Sequence, residues 1–455
     1  MNNGLNKRSL TAAETVTITS MLFGMFFGAG NLIFPVYMGQ LAGNNVWGAV
    51  AGFLVTGVGL PLLGVAALGI SRSNGLFELG SKINRKYSLF FTCMLYLTIG
   101  PMFAIPRCAT VPFEVTISPV LSEGSSSSLW LGVFSLVFFA IVLGFSLKPS
   151  GILTWIGKIL NPVFLICLAI FIVAAFINPM GSISEIQPEE AYQTGAFFNG
   201  FIEGYNTMDA LASLAFGIIV VNVIRDLGIK EPDYVAINTV KAGVFSCVLM
   251  GLIYVFITII GVQSRGITAA CANGGEALYL ISHHYFGSVG TVILALTVTF
   301  ACLKTAVGLI TSCSETFSGL FPKGPSYKAW AIIFSTVSFL VANLGLNSII
   351  AYAVPVLMFL YPLAITLILM ALFGEFFDND RRVYVCVTAF TLFAAIFDFF
   401  NALPDAVKNA LHLEVPIGFA EKILPFFDIG MGWIVPAFIG LILGFVLKFV
   451  GKKEN

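Results

Sequence analysis

Two short stretches carry polar groups into segments that are otherwise apolar. The first is FFGAGNLIFP, Phe26 to Pro35, in the middle of an apolar segment running from Thr15 to Leu41. Gly28, Gly30 and the amide of Asn31 weaken a helix there, and a proline closes the stretch. The second is NGFIEGYNTMDALAS, Asn199 to Ser213, where Glu203, Gly204, Tyr205, Asn206, Thr207 and Asp209 cluster. Unwinding a helix in lipid frees backbone groups, each costing several kcal/mol unless satisfied. That cost is tolerable if the freed groups line a polar cavity and meet a ligand. A new helix start near Asn31 offers N–H groups and a positive dipole end, suited to a carboxylate. A half-helix ending near Phe27 offers carbonyls, suited to Na⁺ or an ammonium. A zwitterionic amino acid fits both ends at once, and glycines let it approach the backbone. The competing reading, that Gly28 and Gly30 only let another helix pack closely, leaves Asn31 and the second interruption unexplained.

The surrounding elements must hold these stretches inside a membrane. Of 455 residues, 58% are hydrophobic and 10% charged, against about 25% charged in soluble domains. Mean hydropathy is +0.95. A crossing needs about 20 apolar residues. Twelve segments qualify: 15–41, 46–71, 88–114, 129–147, 152–177, 193–225, 235–262, 288–318, 329–345, 348–373, 383–401 and 431–449. The short amphipathic segment 273–286 reads as an external loop helix. The first segment is too long and glycine-rich for a signal peptide. With the N-terminus in the cytoplasm, 18 of the 23 Lys and Arg fall inside and three outside, Arg265, Lys408 and Lys422. Two, Arg107 and Lys304, lie within helices. This asymmetry follows the positive-inside rule and places both termini in the cytoplasm. The chain is expected to be an all-α polytopic membrane protein with twelve transmembrane helices.

Residues 1–14 read as a cytoplasmic N-terminus, 15–177 as a first set of five helices, 193–373 as a second set, and 383–455 as helices 11 and 12 with a cytoplasmic C-terminus. The sets begin on opposite sides of the membrane, so their topology is inverted. The interruptions fall in the first helix of each set, helices 1 and 6. Paired broken helices in two inverted halves point to a transporter's binding site. An enzyme is not expected: HExxH, GxSxG and clustered His or Cys are missing, and the loops are short. Zero net charge gives no case for nucleic acid. Without a CxxC pair, the eight cysteines suggest neither a metal site nor a disulfide framework. A channel would need polar stripes along several helices, and the chain shows one polar cluster at mid-depth.

The residues also resemble a known family. FFGAGNLIFP is similar to the first-helix motif of the bacterial branched-chain amino acid:cation symporters, the branched-chain amino acid transport system II carriers. TIGPMFAIPRCATVPFE (98–114), GYNTMDALASLAFGIIVVN (204–222) and ACLKTAVGLITSCSE (301–315) agree with it. More remotely, the pattern resembles the five-plus-five inverted repeat of the sodium-coupled leucine transporter fold. The resemblance implies uptake of leucine, isoleucine and valine across the bacterial cytoplasmic membrane, driven by Na⁺ or H⁺, with no cofactor. A carrier of the same fold for another small neutral amino acid or solute is the alternative. The resemblance further implies that the backbone at Gly28, Ala29, Gly30 and Asn31 holds the substrate carboxylate, with Phe27 also at the substrate, while Tyr205, Asn206 and Thr207 form the other wall. Helices three and eight would supply the side-chain pocket. A cation site would use Gly24 and Phe27 from the first helix and Ala301, Lys304 and Thr305 from the eighth.

Lys304 departs from that pattern, which expects an uncharged group. A charge near the bilayer centre costs at least about 2.5–3.5 kcal/mol and marks function by default. Either its ammonium takes the ion's place, or it pairs with Glu203, Asp209 or Glu315 and Na⁺ sits near Asn31. Arg107 has Glu114 two turns along the same face, and the two are expected to form a structural pair or gate. Asp209 suits a helix-start carboxylate, for function or for capping. Asp398, outside the ten-helix core, reads as a packing or oligomer-interface residue. Whether the protein dimerises is open.

Overall fold

The structure, a computed structural model, describes residues 10–121, 126–147, 161–229 and 231–452. Residues 152–160 of the fifth apolar segment lie outside it, as do Lys7, Arg8, Lys148, Lys158, Lys230 and Lys453. No strand occurs among the described residues.

The chain forms α1 (Ala12–Phe26), α2 (Gly30–Ala42), α3 (Val46–Leu54), α4 (Leu60–Ile70), α5 (Arg85–Leu97), α6 (Ala104–Thr116), α7 (Ser127–Ser146), α8 (Asn161–Ile177), α9 (Ala196–Glu203), α10 (Asp209–Asp226), α11 (Pro232–Ser264), α12 (Gly274–Leu320), α13 (Tyr327–Ala342), α14 (Leu346–Leu372), α15 (Arg381–Ala402) and α16 (Ile434–Lys452). Among the described residues, seven helical runs, such as Gly30–Ile70 and Arg85–Val120, are long and apolar enough to cross a membrane, and eight if the bent pair α9 and α10 counts as one. Four further apolar helices are shorter: Ala12–Phe26, Phe164–Ile177, Tyr327–Ala342 and Ile434–Val450. The expected loop helix 273–286 is the first part of α12, set off by Gly287 at φ 56°.

Local chemistry explains the boundaries. Thr11 and Glu14 form a capping box at the start of α1, satisfying two otherwise free N–H groups. Gly28 lies in the gap that separates α1 from α2, and Gly30 opens α2. Between α9 and α10 runs a 3₁₀ turn, Gly204–Thr207. It ends at Met208, whose φ of 61° is uncommon for a residue with a side chain; the two helices bend by 44° there. Between α5 and α6 a π-helical turn, Thr98–Met102, contains Pro101. Proline lacks the N–H and crowds the preceding turn, which bends the helix.

Reciprocal glycines let the central helices touch backbone to backbone. A Cβ on Gly39 of α2 would fall 2.2 Å from the Thr258 carbonyl of α11, and one on Gly261 of α11 would fall 2.1 Å from the Val36 carbonyl of α2. Gly52 of α3 and Gly200 of α9 are paired in the same way, at 1.8 Å from Phe197 O and 2.0 Å from Ala49 O. Without a hydrophobic drive between helices in lipid, such small residues permit the close van der Waals packing that does hold them. α1 and α2 pack on α11, α9 on α3, and α10 on α4, so both interruptions sit inside one bundle.

Candidate substrate site at the paired helix breaks

The first break is organised by Asn31. Its Oδ1 accepts the freed N–H of Gly28 at 2.8 Å. Its Nδ2 donates to Asp209 Oδ2 at 2.6 Å and to the hydroxyl of Tyr254. Tyr254 itself donates to Asp209 Oδ2 at 2.8 Å. One amide therefore closes a triangle between the first break, the second break and α11. All three residues are buried, at 2%, 2% and 1% exposure for Asn31, Asp209 and Tyr254. A network satisfied in this way specifies one arrangement, because each member left alone would be a buried orphan. Asp209 does not cap α10 with its side chain; its carboxylate is spent across the breaks, which corrects the capping reading.

Arg107 organises the second break. Its Nη1 donates to the Asn206 carbonyl at 2.9 Å, one of the acceptors freed at the turn, and its guanidinium lies 5.2 Å from the Phe34 ring centre. No ion pair joins Arg107 to Glu114 among the described residues. Seven residues of helix rise by about 10 Å, so the two side chains serve different levels, and Glu114 packs instead against Gly275 at the start of α12. The expected pair is corrected.

Gly28, Ala29, Gly30, Asn31, Thr207 and Asp209 line one cavity together with Met25, Arg107 and Thr305. Its volume, ≈ 40 Å³, has room for a few waters and not for a bound amino acid. Three residues expected at the substrate do not line it. Phe27 stacks on Phe23 at 5.0 Å and leans on Phe164 at 5.3 Å. The Tyr205 ring stacks on Tyr361 at 3.9 Å. Asn206 presents its carbonyl to Arg107. Helices that the sequence left without named pocket residues contribute Ile99, Ala104 and Cys108 from the third and Leu309 from the eighth, with Ala212 and Phe216 from α10. Tyr254 was also missed; its one signal is a phenol in the apolar run of α11, whose buried hydroxyl must find a partner.

Residues expected at the cation site are only partly gathered. Thr305 faces the first break, with a Cβ on Gly28 falling 3.1 Å from its Oγ1. Its hydroxyl donates to the Ala301 carbonyl at 3.1 Å. Gly24 is buried in the last turn of α1. The Lys304 ammonium, 3% exposed, lies 6.0 Å from the Phe23 ring and 5.4 Å from the Phe164 ring. Two of its proposed partners are placed elsewhere: Asp209 is engaged by Asn31 and Tyr254, and Glu315 is exposed, about 16 Å further along α12. Asp398 is 2% exposed and so is not on a surface that a second copy could reach.

Comparison with solved structures defines the class. MHP1, a nucleobase-cation-symport-1 family transporter in a closed conformation with bromovinylhydantoin bound, superposes with a TM-score of 0.60 at 14% identity, covering 96% of this chain and 93% of that one. MhsT in complex with L-phenylalanine gives 0.57 at 16% identity, covering 97% and 99%. The chain thus shares the fold of these two proteins. The chain belongs to the branched-chain amino acid transport protein family, whose model matches residues 11–450. It is 50% identical to the branched-chain amino acid permease BrnQ of Lactobacillus delbrueckii subsp. lactis, over 98% of this chain and all of that one. It is 42% identical to BrnQ of Bacillus subtilis (strain 168), with the same coverage. These relatives are permeases; the chain is a transport protein and not an enzyme.

Proposed function

We propose that the protein imports leucine, isoleucine and valine across a bacterial cytoplasmic membrane by cation symport, through alternating access. The single observation that carries the mechanism is the Asn31–Asp209–Tyr254 triangle, which ties two freed helix ends to one cavity. Binding that pulls on either break is transmitted to the other. The relatives' description as branched-chain amino acid permeases supports the substrate class. Twelve crossings with both termini inside follow if α1 and α2 make one broken span, α9 and α10 another, and the Gly43–Asn45 turn separates the first crossing from the second. Matching contacts in the two halves, α1 with α11 and α9 with α3, α2 with α11 and α10 with α4, support an inverted repeat of 15–177 and 193–373. The bundle of helices 1, 2, 6 and 7 would rock against the rest.

In this reading the free N–H groups at the start of α2 take the substrate carboxylate and the end of α1 faces its ammonium. The pocket formed by Ile99, Ala104, Phe216 and Leu309 takes the side chain. One methylene in such a pocket is worth about 1–3 kcal/mol, so the three substrates overlap. The coupling ion is Na⁺ or H⁺. Lys304 argues against Na⁺: its ammonium lies 6.0 Å from the ring of Phe23 in the last turn of α1, near where the cation of a sodium-coupled carrier would sit, and takes the ion's place, so that transport is proton-coupled or ion-independent.

Leucine uptake into proteoliposomes, under a Na⁺ gradient and separately under a proton gradient, tests both statements. Uptake without Na⁺ in the parent, and Na⁺ dependence gained in Lys304→Thr, is expected. Strict Na⁺ dependence in the parent would sink the lysine reading. Failure of leucine, isoleucine and valine to compete, with another neutral amino acid competing instead, would replace the substrate.

A further inference from the structure

A second polar cluster lies outside the cavity, on the far side of the second break. Four buried polar atoms of this cluster have no hydrogen-bond partner among the described residues: both carboxyl oxygens of Asp398, the hydroxyl of Tyr205 and Nε1 of Trp433. They belong together. The segment Gly430–Trp433 brings them together: a Cβ on Gly430 would fall 2.6 Å from Ile202 Cδ1, three residues before Tyr205, and besides its burial the Tyr205 hydroxyl feels Asp398 and Trp433. The backbone confirms the crowding, since a Cβ on Gly432 would fall 3.2 Å from Asp398 Oδ1. Exposure is 2% for Asp398, 1% for Tyr205 and 7% for Trp433.

Among the described residues no cation is paired with this carboxyl: Lys408, whose ammonium reaches the Asn401 carbonyl one turn away, is paired with Asp405 at 2.8 Å. α14, which packs on α15, has no charged residue. Arg381 and Arg382 begin α15, about 24 Å from Asp398 by helix rise. Lys448 lies near the other end of α16, paired with Asp378. Glu414, Glu421, Lys422 and Asp428 are exposed. The titratable side chains that face Asp398 reduce to Tyr205, with Tyr361 stacked behind it. An ionised carboxylate so placed is expensive, and protonation removes most of that expense. A metal ion fits poorly, because the indole offers it only an N–H. A proton, with a water bridging the donors, fits: buried waters take two to four polar partners.

We propose that Asp398, Tyr205 and Trp433 form a proton-binding site beside the second break, and that the Asp398 carboxyl gains and loses its proton during transport. When protonated, the carboxyl O–H donates to the Tyr205 oxygen and Trp433 N–H donates to the carboxyl C=O. When the proton leaves to water, the Tyr205 O–H turns and donates to the carboxylate. Tyr205 sits in the 3₁₀ turn between α9 and α10, so its change of role reaches the same turn whose Asn206 carbonyl Arg107 holds. The inference rests on the transport reading above.

Infrared difference spectroscopy of the full chain in liposomes, stepped between about pH 5 and pH 9 without substrate, tests the site directly. A protonated-carboxyl C=O band that responds to pH, vanishes in Asp398→Asn and shifts in Tyr205→Phe and Trp433→Phe is expected. The parent and Asp398→Asn giving the same difference spectrum, or a band indifferent to pH, overturns the proposal. In transport, Asp398→Asn is expected to keep leucine exchange and to lose proton-driven accumulation by at least about tenfold, a usual size for coupling between sites. Unchanged accumulation overturns it. Because the band is read without substrate, it decides the site even if leucine is not the solute carried.

Discussion

Nδ2 of Asn31 stands 2.6 Å from Oδ2 of Asp209, and that contact joins residues 178 positions apart, each at the rim of a helix break. Removing either partner leaves Tyr254 as the other's one remaining side-chain contact in the triangle and weakens the satisfaction of a buried group, at about 1–3 kcal/mol or more for the charged one. Asn31→Ala and Asp209→Asn are each expected to lower leucine uptake by about a hundredfold, and the double variant to be little worse than the singles, since residues of one network do not add. Uptake rates of the four proteins, with thermal unfolding in detergent as control, check this. Additive losses would show that the two act separately.

Gly28 tests how closely α12 approaches the first break. A methyl there meets Thr305 Cγ2 and Oγ1 at 3.1 Å each. Gly28→Ala is expected to reduce uptake at least about tenfold through overpacking of about 1–3 kcal/mol. Thr305→Ser, which deletes the opposing methyl, should restore part of it in the double variant. No recovery would mean that the glycine serves the ligand rather than the packing.

Arg107 donates from one edge to a freed carbonyl and lies over the Phe34 ring. Lysine keeps the charge but not the planar fork. Arg107→Lys is therefore expected to lose about 1–3 kcal/mol of stability, the worth of a hydrogen bond left unmade, together with most of its substrate affinity. Leucine binding by calorimetry and unfolding in detergent measure the two effects separately.

Asp380 caps α15, accepting from Arg382 N at 2.9 Å, and pairs with the Arg382 guanidinium at 2.8 Å. Those hydrogen bonds pull its carboxyl down from 3.8 to about 2. A folded-state value below the unfolded one means that the contribution is present above about pH 4 and fades as pH falls toward 2. Asp380→Asn should keep the cap yet flatten this acid limb; Asp380→Ala should cost about 1 kcal/mol at neutral pH. Melting temperature against pH for the three proteins checks the sign.

Much of the helix pattern was legible in the chain because lipid makes the rules simple. Every apolar segment in the described residues is helical, and boundaries such as 329–345 against Tyr327–Ala342 differ by two or three residues. The breaks at Phe27–Ala29 and Gly204–Met208 were legible because glycine and clustered polar groups are costly in lipid without a purpose. Roles of single side chains were not. Tyr205 was read as a substrate wall by its position in the motif, whereas its ring lies on Tyr361.

The sequence by itself determined an all-helical membrane protein interrupted at two places, because burial of apolar length and the price of unsatisfied backbone are local properties. Which atoms close those interruptions was decided only by tertiary structure. Asn31 meets Asp209 and Tyr254, Arg107 reaches Asn206 rather than Glu114, and Asp398 turns inward to Gly432. Each of these partners is set by how helices cross, at glycine contacts such as Gly39 with Gly261, and the crossing is a property of the whole bundle that no stretch of ten or fifteen residues contains.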